Sequence, residues 1–298
     1  MPSTVTRLPE HQLDALARAY GEAVSQKRRQ LLIGLALFVA ATIVAGIVAE
    51  VRPATFVANI WRFTDYIGRI FTLDNGPNTG RPVFTDIAEW MWGLDKWLKL
   101  MWETLLIAYV GTLLGGIGAF AFCFLSARNL APTRWAGIAA KRYLEFCRTV
   151  PEIVFALIFV VAFGLGPVPG VLAIAIHTFG ALGKQFAEVA ENIDMKPVDG
   201  LTATGATWVE TMRFAVVPQV LSNFVSYALL RFEINVRGAA VMGFVGAGGI
   251  GQDLVEAIRK FYYADVSAIL VLIILTVMAI DLGTERLRHR FLSMSTRS

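Results

Sequence analysis

The stretch of sequence that decides the fold is Asp199-Gly-Leu-Thr-Ala-Thr-Gly205, continued by Ala-Thr-Trp-Val-Glu-Thr-Met-Arg-Phe-Ala-Val-Val-Pro218. It is a polar segment between two apolar ones. An acidic residue precedes Gly205 by six positions, and nine further residues separate Gly205 from Ala215-Val-Val-Pro218. Glycine suits a sharp bend, and proline suits the first turn of a helix, where its missing N–H costs nothing. The pattern predicts two short helices joined by a bend at Gly205, and a longer helix that begins at Pro218.

The chain on either side of this segment is apolar enough to cross a membrane. Of its 298 residues, 56% are hydrophobic and only 17% are charged, whereas a soluble domain carries about a quarter charged residues. Charged residues are absent from residues 30–49, 104–127 and 153–183. Such runs are typical of transmembrane helices, because about 20 residues at 1.5 Å each cross a hydrocarbon layer of about 30 Å. The sequence therefore predicts an all-α integral membrane protein with about six transmembrane helices.

Basic residues form three clusters, and an even number of spans places all three on one side of the membrane. The clusters are Arg18, Lys27, Arg28 and Arg29; Arg128, Arg134, Lys141, Arg142 and Arg148; and Arg286, Arg288 and Arg290. The positive-inside rule then predicts cytoplasmic N- and C-termini in a multi-pass membrane protein, with lipid around its spans. Apart from the net charge of +4, nothing in the sequence indicates nucleic-acid binding, so we expect no nucleic-acid partner.

Few residues are arranged for catalysis or metal binding. The three histidines and two cysteines are scattered, without a disulfide framework or the spacing of metal ligands. A G-x-G-x-x-G pattern runs from Gly246 to Gly251, but it lacks the βαβ unit of a dinucleotide site. We therefore expect a non-enzymatic protein with no catalytic residue, no metal and no cofactor of its own.

The hydrophobic pattern divides the chain into five parts. They are an amphipathic cytoplasmic tail (1–29), a first transmembrane helix (30–49), an outer segment with an interfacial helix (50–99), a core domain (100–285) and a basic cytoplasmic tail (286–298). Within the core we expect a continuous third span from near Tyr143 through Pro151, a loop over residues 187–217 and a fifth span from Pro218. Gly111 and Gly115 have the spacing of small residues at a helix–helix contact.

The segment from Asp199 to Pro218 resembles the cytoplasmic coupling loop of ABC importer permeases, which follows the pattern E-A-A-x3-G-x9-I-x-L-P. The spacing is intact, but most of the residue types differ. Aspartate replaces the usual glutamate, Gly200-Leu201 replaces the two alanines, and Ala215 and Val217 replace isoleucine and leucine. The resemblance at this point therefore depends on spacing more than on identity.

Three further segments in the same order narrow the resemblance. They are Arg148-Thr-Val-Pro-Glu152, Asn192-Ile-Asp194 before the loop, and Phe232-Glu-Ile-Asn-Val-Arg237 leading into Gly243-Phe-Val-Gly-Ala-Gly-Gly-Ile-Gly251. Together they look like the permease of phosphonate ABC importers, whose relatives carry phosphite, over roughly residues 100–285. The last segment is also similar to one in methionine importer permeases.

This resemblance implies a type I ABC importer permease fold in a prokaryotic cell membrane, together with a set of partners. The chain would form a homodimer above two ATP-binding subunits, which hold ATP and magnesium, and an extracytoplasmic binding protein would deliver the substrate. The coupling residues would be Asp199, Gly200, Leu201, Ala203, Thr204, Gly205, Ala206, Trp208, Arg213 and Pro218. We place the translocation pathway at Arg148, Glu152, Arg231, Glu233, Asn235, Arg237, Gly246, Gly248 and Gly249.

Two questions stay open at this point. Glu233 and Arg237 have the spacing of a structural ion pair, whereas Arg231 or Arg237 would offset the charge of a phosphonate if it faced the pathway. The substrate is the second question, because an ABC importer permease for methionine or phosphate remains an alternative. An ion-coupled secondary transporter is a weaker one, since the sequence shows no convincing inverted repeat.

Overall fold

A computed structural model describes residues 10–74 and 76–295 of the chain. Their regular structure is helical, apart from one isolated bridge between Thr72 and Pro82. The predicted all-α class is therefore confirmed. The chain divides into two compact units, with the boundary between Asp65 and Tyr66.

The first unit contains α1 (Glu10–Val48) and most of α2 (Pro53–Ile70). Helix α1 runs through the predicted boundary at residue 30 without a break, because residues 22–33 contain no proline or glycine. Residues 1–9 of the predicted cytoplasmic tail lie outside the described residues. Helix α2 covers the apolar stripe that predicted an interfacial helix within residues 50–99.

The second unit holds the remaining ten α-helices of the described residues. They are α3 (Ile87–Trp90), α4 (Leu94–Ser126), α5 (Arg134–Thr149), α6 (Glu152–Phe163), α7 (Pro167–Glu191), α8 (Lys196–Ala203), α9 (Trp208–Thr211), α10 (Val217–Met242), α11 (Ile250–Arg259) and α12 (Tyr263–Ser295). Helix α4 thus begins within the predicted outer segment rather than at residue 100. Residues 296–298 of the predicted basic tail lie outside the described residues.

Within the part of the chain that the structure describes, three helical segments are long and apolar enough to cross a membrane, namely residues 18–48, 94–126 and 263–288. The count rises to five if each of two bent helix pairs is one span. The first pair is α5 with α6, bent by 82°, and the second joins residues 208–245 to α11, bent by 48°. The expectations of about six spans and of cytoplasmic termini stay predictions.

The expectation of a continuous third span is wrong, because the chain breaks between α5 and α6. Val150 has extended backbone angles (φ −73°, ψ 123°), and the helix resumes at Glu152. Proline disfavours helical angles in the residue before it and cannot donate a backbone hydrogen bond. Pro151 therefore ends one helix and starts the next in a new direction, which places Glu152 at the corner.

Helices α4 and α7 form the most extensive helix–helix contact among the described residues of the second unit. A Cβ atom at Gly111 would lie 2.6 Å from Cγ2 of Ile174, and one at Gly115 would lie 2.6 Å from the backbone oxygen of Ala175. Only glycine allows the two backbones to approach this closely. The predicted role of Gly111 and Gly115 in a helix–helix contact is therefore confirmed.

Candidate coupling segment and translocation pathway

The segment between α7 and α10 folds as two short helices around a bend. Helix α8 ends at Ala203, and Gly205 follows with a φ of +86°, a conformation that glycine adopts without strain. Helix α9 starts with a capping box, in which Thr207 and Glu210 bond to each other's backbone N–H groups. A π-helical turn, Met212–Val216, then leads into α10. The predicted bend at Gly205 is confirmed.

One face of this segment is anchored to the helix bundle. Val198, Met212 and Val216 are buried in an apolar cluster that also contains residues of α4, α7 and α10. The indole Nε1 of Trp208 donates a hydrogen bond to the backbone oxygen of Leu130 over 2.8 Å. The segment is therefore held by packing as well as by its chain connections.

The opposite face is exposed. Of the residues predicted for coupling, Leu201 and Ala206 are half-buried. The other eight are exposed, namely Asp199, Gly200, Ala203, Thr204, Gly205, Trp208, Arg213 and Pro218. Two exposed apolar side chains that the sequence pattern did not single out, Val209 and Phe214, lie beside them. The segment therefore has one face buried in the bundle and one exposed face of mixed polar and apolar residues.

Gln219, near the start of α10, forms a clasp of hydrogen bonds with the chain just before α8. Its side-chain oxygen accepts a hydrogen bond from the Asp194 N–H over 3.1 Å, and its Nε2 donates to the Asp194 backbone oxygen over 3.2 Å. Nε2 also donates to the Ala215 oxygen over 2.7 Å. Sequence reasoning missed this clasp, although a glutamine directly after Pro218 at the start of an apolar helix was a signal. The clasp lines a polar cavity of about 580 Å³ between the end of α7 and the start of α10.

The charged residues of α10 that were predicted for the pathway lie on two different faces of this helix. On one face Arg237 donates hydrogen bonds to Glu233 and to Asp281 of α12. The predicted Glu233–Arg237 pair is therefore present, and Asp281 is a third member that sequence spacing could not show. This face ties α10 to α12.

Arg231 lies on the other face, where α10 meets α6 and α7. Its guanidinium donates a hydrogen bond to Nδ1 of His177, and Oε2 of Glu152 lies 3.6 Å from the same nitrogen. The side chains of His177 and Glu152 retain 18% and 27% of their exposure, so the cluster is partly accessible. Arg148, at the end of α5, has an exposed side chain, and its backbone hydrogen-bonds to the His177 ring.

Asn235 is fully buried one turn beyond Arg231. Its Nδ2 donates to the hydroxyl groups of Thr112 on α4 and Thr178 on α7, each over 2.8 Å. These two hydrogen bonds join three helices. In this conformation the Asn235 side chain is not exposed to any cavity.

The predicted glycines Gly246, Gly248 and Gly249 form the joint between α10 and α11. All three have positive φ angles, and the last two are buried. Residues of α4 hold this joint, because Glu103 accepts a hydrogen bond from the Gly249 N–H and Thr104 accepts one from the N–H of Ile250. Gly246 also accepts a bond at its backbone oxygen from the N–H of Gly166.

Comparison with known proteins identifies the family of this chain. Residues 111–292 match the model of the binding-protein-dependent transport system inner membrane component. The phosphite transport system permease protein of Stutzerimonas stutzeri is 39% identical over 199 residues, which are 67% of this chain and 72% of that protein. A protein of Escherichia coli K12 assigned as a cryptic phosphonate transport system permease is 50% identical over 121 residues, 41% of this chain and 99% of that protein.

Solved structures show the same fold. An inward-facing methionine ABC transporter matches with a TM-score of 0.58 at 20% identity, over 67% of this chain and 97% of that chain. A bacterial ABC transporter for alginate import matches with a TM-score of 0.56 at 12% identity, over 85% and 98% of the two chains. A family model that covers most of the helix bundle, together with these relatives, shows that the chain belongs to the inner membrane components of binding-protein-dependent transport systems, the type I permeases of bacterial ABC importers.

Proposed function

We propose that this chain is the transmembrane subunit of an ATP-driven importer for phosphonates or related small oxyanions such as phosphite. Two copies form the translocation path, and the segment from Asp199 to Pro218 couples it to ATPase subunits. The observation that carries this proposal is the exposed face of a segment whose other face is buried in the bundle core. Such a segment supports transmission of a conformational change between a partner and the spans.

The chemical division of labour follows from this arrangement. ATP and magnesium belong to the partner ATPase subunits, and an extracytoplasmic binding protein delivers the substrate. The permease then alternates between two states whose balance is set by ATP and by the loaded binding protein. This chain binds no cofactor in that scheme and performs no hydrolysis itself.

The substrate class rests on the relatives. The similar proteins of S. stutzeri and E. coli are a phosphite and a cryptic phosphonate permease, and a phosphate-import permease of Mycolicibacterium smegmatis is 39% identical over 65% of this chain and 36% of that protein. All three names describe small phosphorus oxyanions. The methionine transporter is similar at the level of fold only, so methionine serves as the contrasting substrate in the test.

The test is ATP hydrolysis by the reconstituted complex of this chain with its ATPase and binding protein. We expect stimulation by binding protein loaded with an organophosphonate or phosphite, and little with phosphate or methionine. If binding protein loaded with methionine stimulates hydrolysis and the phosphorus compounds do not, the substrate assignment is wrong. Uptake that proceeds without ATP and follows an ion gradient would contradict the importer proposal itself.

Coupling is tested separately by Gly205→Glu, with Gly80→Glu as the matched control. Both glycines are exposed, have φ angles of +86° and +89°, and have open space where a Cβ atom would lie. We expect Gly205→Glu to abolish copurification of the ATPase and stimulated hydrolysis, and Gly80→Glu to preserve both. Normal coupling in the Gly205→Glu complex would reject the proposed coupling segment.

A further inference from the structure

We propose that Arg231 is a binding station for a small tetrahedral oxyanion within the helix bundle, and that Glu152 is its built-in competitor. This assignment deepens the proposed function and, for the identity of the oxyanion, rests on it. The station combines residues of three helices: Glu152 from α6, His177 from α7 and Arg231 from α10.

Arg231 has hydrogen-bonding capacity that its protein neighbours do not use. A guanidinium carries five N–H donors in a planar fork. One terminal nitrogen donates to Nδ1 of His177, whereas the buried Nε donates to no acceptor among the described residues. A buried charged donor without an acceptor is unfavourable. A phosphonate offers several acceptor oxygens with the geometry that an arginine fork recognises.

Arg237 provides the contrast on the same helix. Its guanidinium donates to carboxylates on both Glu233 and Asp281, so its charge is already balanced by two acids. The structure therefore favours Arg231 over Arg237 as the residue that receives an anion, a choice that sequence alone leaves open.

Glu152 balances the charge of Arg231 when no anion is bound. Both residues approach the same atom, because Arg231 donates a hydrogen bond to Nδ1 of His177 and Glu152 Oε2 lies 3.6 Å from it. Their opposite charges are therefore near enough to attract each other. Space for the carboxylate depends on Gly238, because a Cβ atom there would lie 2.6 Å from Oε1. An oxyanion that reaches Arg231 must compete with this carboxylate. Such competition keeps binding weak enough for release, which a translocation pathway requires.

The first experiment measures binding of methylphosphonate to the purified full-length chain by the shift of its thermal unfolding, with methionine as the control ligand. We expect Arg231→Gln to weaken methylphosphonate binding by about tenfold or more. Arg231→Lys should recover part of the loss, since lysine keeps the charge but not the fork. Arg237→Gln should stay within about threefold of the unmodified chain. Equal binding by Arg231→Gln, or no binding by the unmodified chain, would overturn the station.

The second experiment tests Glu152 with Glu152→Gln, which removes its charge and keeps its shape. If Glu152 competes with the substrate, methylphosphonate binds more tightly and its transport turns over more slowly. A purely structural carboxylate would give equal or weaker binding, and that result rejects the competitor role.

The binding readout separates this inference from the proposed function. If loaded binding protein stimulates ATP hydrolysis but Arg231→Gln binds and transports methylphosphonate normally, the station is wrong and the importer assignment stands. If methylphosphonate binds through Arg231 but loaded binding protein does not stimulate hydrolysis, the station stands and the importer assignment fails.

Discussion

At the scale of single residues, polar side chains within the helix bundle differ in how completely they are satisfied. Arg237 is bonded to two carboxylates, while Arg231 has a buried Nε without an acceptor among the described residues. Asn235 lies between these extremes, because its Nδ2 makes two bonds and its buried Oδ1 makes none within the described part of the chain. These differences come from neighbours on other helices, so the residue types alone do not reveal them.

Asn235 gives a prediction at this scale. Asn235→Asp places a charge at a fully buried position between Thr112 and Thr178, and we expect a loss of about 3 kcal/mol or more in stability. Asn223→Asp, on the exposed surface of the same helix, should change stability by about 0.5 kcal/mol or less. Thermal unfolding of the purified chain, followed by tryptophan fluorescence, measures both. Equal stability of the two variants would show that the three-helix junction contributes nothing.

At the scale of helices, close backbone approach between α4 and α7 depends on the position of each glycine. A Cβ atom at Gly115 would lie 2.6 Å from a backbone oxygen of α7, whereas one at the adjacent Gly116 would lie 3.7 Å from a leucine methyl group, an ordinary contact. We expect Gly115→Ala to cost about 1–3 kcal/mol through forced separation of the helices. Gly116→Ala should be neutral or slightly stabilising, because alanine favours the helix.

The same unfolding measurement decides this pair. Loss of stability in both variants to the same extent would mean that the two helices are not held at the distance seen here. The pair is informative because the substitution and the helix are the same, whereas Gly115 is buried against α7 and Gly116 is only half-buried.

The clasp formed by Gln219 gives a second prediction at the scale of helices. Gln219→Ala removes two hydrogen bonds to the backbone of Asp194, just before α8, and a third to the Ala215 oxygen one turn back along its own helix, each worth about 0.5–1.5 kcal/mol. We expect faster amide exchange in α8, by about tenfold or more, and a weaker link between ATP hydrolysis and transport. Asn223→Ala, which lines the same cavity, is the control. Unchanged exchange in α8 would show that packing of Val198 alone holds the segment.

At the scale of the whole molecule, the family model covers residues 111–292, close to the range that the sequence resemblance indicated. The unit before Tyr66 lies outside that match. E. coli has two proteins assigned as cryptic phosphonate permeases that are similar to this chain, so a pair of different permeases is the alternative to a homodimer.

We predict that this chain assembles with a second copy of itself. Two forms of the chain with different affinity tags, coexpressed with the ATPase and the binding protein, should copurify through either tag. The complex should then contain two permease copies for each ATPase pair. Copurification of only one tagged form with a second, distinct permease would contradict the homodimer.

The fold class and the bend at Gly205 could be predicted because both depend on local properties of the chain. Long uncharged runs identify spans wherever they occur, since charge in lipid is costly. The position of Gly205 fixes a bend through the conformation of glycine, whereas the helix expected to begin at Pro218 is already continuous from Trp208 through the π-helical turn. The third span was predicted incorrectly because its apolar composition hid the effect of Pro151 on direction.

By itself, then, the sequence determined the membrane class, the bend at Gly205 and the pairing of Glu233 with Arg237. Only the tertiary structure decided which arginine is satisfied, how Gln219 closes the coupling segment and where Glu152 lies. The physical reason is that the first group depends on neighbours along one helix or turn. The second depends on side chains from α6, α7, α10 and α12 that meet only when the helices pack.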